Sequence, residues 1–141
     1  MRSVSIKSYG LQDILPHIRA ARAGGPEKIE LDGELVAVSS VRLQTFAFRG
    51  TRCVSCHLQG SHFRKERSHP SDPRPHLNLY ATEMPGMIEA LMTKDHIIPR
   101  ARGGSDSLEN MQPMCARCNE RKGDAMESDI SSSDAVPGVN S

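Results

Sequence analysis

The chain has 141 residues, of which 37% are apolar, with three Phe, two Tyr and no Trp. This composition suits one small domain and excludes a large aromatic core, so we expect a staple such as a disulfide or a structural metal. The formal net charge of +1 is unevenly spread, because residues 1–123 carry 18 basic and 13 acidic side chains while residues 124–141 carry only four acidic ones. A basic body of this size favours a nucleic-acid partner.

No apolar run reaches the roughly 20 residues that span a bilayer. The segment Met1 to Gly10 lacks the apolar stretch and small-residue cleavage site of a secretory leader. We therefore expect a cytoplasmic protein without a membrane partner, in which cysteines hold metal rather than form disulfides.

The first predicted element is a helix. Apolar residues recur at helical spacing from Leu11 to Ala21, and Gly24-Gly25-Pro26 ends the run. Pro16 is expected in or near the first turn, where its missing N–H costs little.

A β-hairpin and a second helix are predicted next. Alternating residues 28–31 and 34–37 flank Asp32-Gly33, a strong turn signal. The serines at 39–40 are candidate caps for a short helix, although residues 41–43 would also suit a strand.

The second half of the chain combines loops, strands and one short helix. Residues 64–75 contain three prolines and four basic residues, which predicts a loop. Strands are expected at His76 to Tyr80 and at Ile88 to Met92, with a turn at Pro85-Gly86 between them. Residues 99–107 predict a loop, residues 116–123 a short helix, and the Ser-, Asp-, Gly- and Pro-rich stretch from Asp124 predicts disorder.

The four cysteines form two Cys-x-x-Cys pairs, Cys53 with Cys56 and Cys115 with Cys118, separated by 58 residues. Each pair can provide two corners of a tetrahedral zinc site, and two pairs complete a closed, structural one. We therefore predict one structural zinc per chain. Three other interpretations compete: haem attachment at Cys53 to His57, a redox dithiol, and disulfides.

A second group of polar residues lies near the second cysteine pair. Asp95 and His96 stand at the end of a predicted strand, where adjacent side chains point to opposite faces. Asn119 follows Cys118 and is expected to open the short helix. One of these groups could bind a metal while another holds a water.

The segment resembles the HNH endonuclease family. The resemblance rests on Asp95-His96, on Asn110 fourteen residues after His96, and on Asn119 nine residues later. The Gly103-Gly104 loop, the Leu-x-Asn-x-Gln run and both cysteine pairs also fit. The last position of the motif departs from the family name, because it is Asn and not His.

The resemblance implies an α+β fold with a small ββα-metal (His-Me finger) core, which is a β-hairpin plus one helix around a single divalent metal. A four-cysteine structural zinc would staple this core. The expected domains are an N-terminal α/β extension with a helix and hairpin over residues 1–50, the HNH nuclease domain with zinc knuckles over residues 51–123, and a disordered acidic tail over residues 124–141.

The resemblance also implies residue roles. His96 would be the general base that activates water, and Asn110 would tie the loop between the hairpin strands. Asp95 and Asn119 would hold one catalytic Mg²⁺ or Mn²⁺, since carboxylate and amide oxygens suit hard cations. The basic residues expected to contact phosphates are Arg100, Arg102, Arg117, Arg121 and Lys122.

The implied activity is hydrolysis of phosphodiester bonds by a DNA endonuclease, with double-stranded DNA as substrate. The resemblance to free-standing phage nucleases implies a phage or prophage origin and the cytoplasm of a bacterial host. Two alternatives stay open: a zinc-knuckle protein that binds nucleic acid without cleavage, and a junction resolvase or RNase with the same site. The sequence sets neither the oligomeric state nor the substrate specificity.

Overall fold

A computed structural model describes residues 7–83 and 88–123. These residues form an α+β fold of antiparallel strands and helices. The strands are β1 (Ser8–Gly10), β2 (Lys28–Leu31), β3 (Glu34–Ala37), β4 (His62–Glu66), β5 (His76–Glu83), β6 (Ile88–His96) and β7 (Met111–Cys115). The helices are α1 (Leu11–Arg22), α2 (Val41–Phe48) and α3 (Ala116–Lys122).

Helix α1 confirms the helical spacing, because it buries Ile14 and Ile18 and ends at Arg22, before the glycines. Pro16, expected in or near the first turn, lies just beyond it, in the second turn. Pro16 is the sixth helical residue and removes one interior backbone hydrogen bond. The helix continues past it because Ile18, two residues further on, is fully buried in the core.

The predicted hairpin and second helix are confirmed. Asp32 and Gly33 both have positive φ, which is typical of the two-residue turn that matches strand twist. The Ser40 hydroxyl caps α2 by accepting a hydrogen bond of 3.2 Å from the Leu43 backbone N–H. The alternative of a strand at residues 41–43 is therefore wrong.

The main sheet has the strand order β1-β4-β5-β6-β7, and all its neighbouring strands are antiparallel. The predicted loop at 64–75 starts too early, because β4 extends to Glu66. Arg64 pairs with both Ser8 and Asn78, so this part of the chain gains ladder bonds on two sides. Strands β5 and β6 are each longer than predicted. The turn at Pro85-Gly86 and the acidic tail from Asp124 lie outside the described residues.

The core lies between the helices and one face of the sheet. Ile18 and Phe46 from the helices pack in the same cluster as Phe63, Leu77 and Leu79 from the strands. Residues 7–50 therefore share the sheet and the core with the rest of the described chain. No helix in these segments is long and apolar enough to cross a membrane.

The topology places three elements around one end of β6. β7 pairs along β6, with His96 opposite Met111 and Met92 opposite Cys115. α3 follows β7 without a break, so the end of β6, the 97–110 loop and α3 meet at one place.

Candidate active site and cysteine cluster

Asp95 and His96 are the last two residues of β6, so they end a strand as expected, although this strand extends beyond the predicted end at Met92. Asp95 is buried, and the His96 side chain is 19% exposed. Both line an open pocket of about 380 Å³ that Asn119 and Lys122 of α3 also line. The structure thus brings Asp95, His96 and Asn119 to one concave surface.

Asp95 is held by two neighbours. The Lys122 ammonium lies 2.9 Å from Asp95 Oδ2, and the two side chains are 1% and 8% exposed. Gln112 donates to the same oxygen at 3.1 Å, and Lys122 also donates to the His96 carbonyl at 3.3 Å. The sequence predicts that Lys122 contacts phosphate, but its side chain is buried against Asp95.

Asn119 faces β6 through its amide nitrogen. The Nδ2 group donates to Thr93 Oγ1 at 2.8 Å and to the Lys94 carbonyl at 3.2 Å. Both donors are then used, and Oδ1 has no hydrogen bond within the described segments. The helix begins at Ala116, so Asn119 is its fourth residue and does not open it as expected.

His96 has a partner that the sequence does not single out. Its Nε2 lies 2.7 Å from Asp106 Oδ1, and Arg100 Nε donates to the same oxygen at 2.8 Å. The hydrogen bonds from His96 and then Arg100 hold the pKa of the Asp106 carboxyl below its usual range. Asp106 lies in a Gly- and Ser-rich loop without periodicity, so the only sequence signal is its place between the motif His and Asn.

Asn110 joins the two ends of the 97–110 loop. Its Oδ1 accepts from the Ile98 N–H at 2.9 Å, and its Nδ2 donates to the carbonyls of Ile98 at 3.0 Å and Ser105 at 2.7 Å. Gly104 allows this close approach, since a Cβ there would lie 1.6 Å from the Ile98 oxygen. The residues on either side of the loop are therefore fixed relative to each other.

The four cysteines lie together. Their sulfurs are all within 4.8 Å of one another, and Cys56 Sγ is 3.8 Å from Cys115 Sγ. Sulfurs about 2.3 Å from a tetrahedral zinc would be about 3.8 Å apart, so this arrangement could hold a metal. None of the four forms a disulfide.

Burial and hydrogen bonding set the thiol chemistry. Burial raises the pKa of the Cys56 and Cys118 thiols. Burial opposes ionisation of Cys53 as well, but backbone N–H groups, including that of Cys56, bring its pKa below the ordinary value. A cation among the four sulfurs would favour the thiolate form of each.

Four of the predicted phosphate contacts are exposed side chains. Arg100 and Arg102 lie in the loop after β6, and Arg117 and Arg121 lie on α3. Arg100 pairs with Asp106, and Arg121 contacts Ser55 Oγ at 3.3 Å. The loop and the helix that carry these arginines both contribute residues to the pocket.

Residues 87–134 match a family model described as HNH endonuclease. The matched segment contains Asp95, His96, Asn110 and Asn119, together with the second cysteine pair. No curated protein and no solved structure gives a match. The match confirms the resemblance inferred from the motif. Residues 87–134 are therefore similar to the HNH endonuclease family.

Proposed function

We propose that this protein is a divalent-metal-dependent DNA endonuclease that hydrolyses phosphodiester bonds. The observation that carries the proposal is the meeting of Asp95, His96 and Asn119 in one pocket, inside the family segment. The hairpin of β6 and β7 followed by α3 supports the ββα-metal core that the resemblance implies.

The chemistry of the pocket fits a hard cation. Asp95 Oδ1 and Asn119 Oδ1 have no hydrogen-bond partner within residues 7–83 and 88–123, whereas the other polar atoms of both groups are engaged. Carboxylate and amide oxygens suit Mg²⁺ or Mn²⁺. When bound, such an ion supplies charge neutralisation at the scissile phosphate and at the leaving 3′-oxygen.

The protein's own residues divide the remaining work. His96 would remove a proton from the attacking water, because Asp106 engages Nε2 and leaves Nδ1 without a partner in the described chain. Lys122 would balance the buried charge of Asp95 and keep its carboxylate in place. Asn110 would hold the loop that carries these groups.

We also propose that the four cysteines hold one structural zinc. Cys53 and Cys56 precede β4, whereas Cys115 and Cys118 lie at the junction of β7 and α3. A zinc ion would join these distant segments and fix the direction of the helix that bears Asn119. Four thiolates leave no open coordination position, so the ion would have no catalytic role.

Exposed basic residues would contact the DNA backbone. Arg100 lines the pocket, and Arg102, Arg117 and Arg121 are exposed on the loop and the helix that contribute to it. The excess of basic over acidic side chains in residues 1–123 also favours a polyanion. Contacts to phosphate carry no sequence information. Activity in the cytoplasm of a bacterial host, and a phage origin, follow from the resemblance alone and are predictions.

A cleavage assay tests the proposal. Wild-type protein and Asp95→Asn are incubated with supercoiled plasmid, linear duplex, a four-way junction and single-stranded RNA, with Mg²⁺ or without added metal. We expect DNA cleavage by the wild type only with Mg²⁺, and a loss of at least about 100-fold in Asp95→Asn. Asp72→Asn, which does not line the pocket, is the matched control and should cleave as the wild type does.

Three results would contradict the proposal. Cleavage of RNA alone would replace the DNA endonuclease with an RNase, and cleavage of the junction alone would indicate a resolvase. Tight DNA binding by a folded wild type that cleaves none of the substrates with Mg²⁺ or Mn²⁺ would support the binding module instead.

A further inference from the structure

An exposed carboxylate contacts the histidine of the pocket. Asp106 Oδ1 lies 2.7 Å from His96 Nε2, although the Asp106 side chain is 65% exposed. An exposed ion pair usually contributes little to stability. We therefore expect the contact to affect His96 and not the stability of the fold.

The surrounding loop holds Asp106 in place. Asn110 donates 2.7 Å to the carbonyl of Ser105, the residue before Asp106, and binds both backbone groups of Ile98, two residues after His96. One buried amide thus connects the chain on the His96 side to the chain on the Asp106 side. The loop's own hydrogen bonds therefore hold the backbone before Asp106 close to the backbone after His96.

The contact has a chemical consequence for the imidazole. A carboxylate can only accept a hydrogen bond, so the neutral His96 ring must carry its hydrogen on Nε2. The lone pair then lies on Nδ1, which has no partner among the described residues. An orienting acid on one ring nitrogen and a free lone pair on the other is the arrangement by which enzymes direct a histidine base.

We infer that Asp106 is a positioning residue, which fixes the tautomer and the orientation of His96 for water activation. The inference rests on the proposed nuclease function. In the step, a proton leaves water for Nδ1, the water oxygen bonds to phosphorus, and the phosphorus–O3′ bond breaks. The departing 3′-oxygen takes a proton from solvent, and Asp106 stabilises the imidazolium that has formed.

The hydrogen bond from Arg100 suggests a simpler role for Asp106. Arg100 donates to the same oxygen at 2.8 Å, so Asp106 could serve only to hold Arg100 for phosphate contact. The two roles differ in what they change. Loss of an Arg100 holder would weaken substrate binding, whereas loss of a His96 positioner would slow the chemical step.

The test combines steady-state kinetics with nitrogen NMR of the histidine ring. Asp106→Ala should lower kcat about 10- to 100-fold with little change in KM. Arg100→Gln should raise KM and leave the His96 ring unchanged. Glu109→Ala, which removes an exposed carboxylate from the same loop, is the matched control and should have wild-type kinetics.

Nitrogen NMR identifies the tautomer of His96 in protein that is not catalysing cleavage. In ¹⁵N-histidine-labelled protein without added Mg²⁺, the His96 signal is assigned by its absence from His96→Ala. The wild type should show a protonated Nε2 and an unprotonated Nδ1, and in Asp106→Ala the two ring shifts should converge. A protonated Nδ1 in the wild type, unchanged shifts in Asp106→Ala, or a raised KM with normal kcat would overturn the inference.

The two readouts separate this inference from the proposed function. If the wild type cleaves nothing while the ring shifts change as expected, Asp106 positions His96 but the nuclease proposal fails. If the wild type and Asp106→Ala cleave at equal rates, the nuclease proposal stands and the inference is wrong.

Discussion

The pair of Asp95 and Lys122 is the most deeply buried charged contact of the pocket. Their side chains are 8% and 1% exposed, and Lys122 also bonds the His96 carbonyl. The pair therefore connects α3 to the end of β6 at the point where the proposed chemistry takes place. Such a pair contributes little net stability compared with apolar residues, but breaking it leaves one charge buried alone.

Removal of Lys122 should therefore destabilise the folded protein. Lys122→Met leaves the Asp95 carboxylate buried without its counter-charge, and we expect a loss of about 3–5 kcal/mol in the free energy of unfolding. The double variant Asp95→Asn/Lys122→Met should recover a large part of it. Denaturant unfolding of the three proteins provides the measurement, with Lys28→Met on exposed β2 as the control. A Lys122→Met midpoint equal to that of the wild type would show that the pair has no structural role.

The 97–110 loop is the element that joins the site together. Gly104 lies against the Ile98 carbonyl, and Asn110 binds the backbone on both sides. An added Cβ at 104 would lie 1.6 Å from the Ile98 oxygen and 2.9 Å from Asn110 Nδ2, so the loop could not close as it does.

Gly104→Ala should therefore open the loop and separate Asp106 from His96. We expect faster hydrogen exchange of the Ile98 amide, which donates to Asn110 Oδ1, and at least about 10-fold lower cleavage activity. Gly103→Ala is the matched control. Gly103 has a positive φ, but a Cβ added there would meet no atom within 4 Å. It should lose only about 1 kcal/mol of stability and keep the Ile98 amide protected. Normal Ile98 protection in Gly104→Ala would contradict this account of the loop.

Elements with local signals were predictable from the sequence. The spacing of Ile14 and Ile18, the Asp32-Gly33 turn and the Ser40 cap each act within a few residues, and the structure has all three elements. The sequence predicts a loop from Arg64 onward and misses the end of strand β4, because the ladder bonds of this strand come from strands that are distant in the chain.

The candidate site likewise contains some residues that have a sequence signal and others that have none. Asp95, His96, Asn110 and Asn119 were found by their spacing within one motif. The partners Lys122 of Asp95 and Asp106 of His96 depend on how the loop and α3 fold back on β6. No period or composition marks such contacts, so they became visible only in the structure.

At the scale of the whole molecule, the cysteine cluster connects segments that are far apart in the chain. Cys53 is buried within the core cluster, and Cys115 and Cys118 connect that cluster to α3. The core contains few aromatic side chains, and a zinc among the four sulfurs would add the cross-link that the composition leads us to expect.

Loss of one thiolate should therefore affect the entire fold. We expect one zinc per wild-type chain by elemental analysis, and Cys115→Ser should lose the metal and unfold at lower temperature. Ser55→Ala, which lies between the first two cysteines and keeps all four sulfurs, should retain zinc. A zinc-free Cys115→Ser protein with wild-type thermal stability would refute the structural zinc.

The proposed function depends above all on His96, which we propose activates the water that cleaves DNA. The most direct measurement is the initial rate of plasmid nicking in Mg²⁺ by wild type, His96→Ala and His57→Ala, an exposed histidine outside the pocket. We expect the nicking rate of His96→Ala to be at least about 100-fold below that of the wild type, with His57→Ala unchanged. Nicking by a correctly folded His96→Ala protein at the wild-type rate would contradict it.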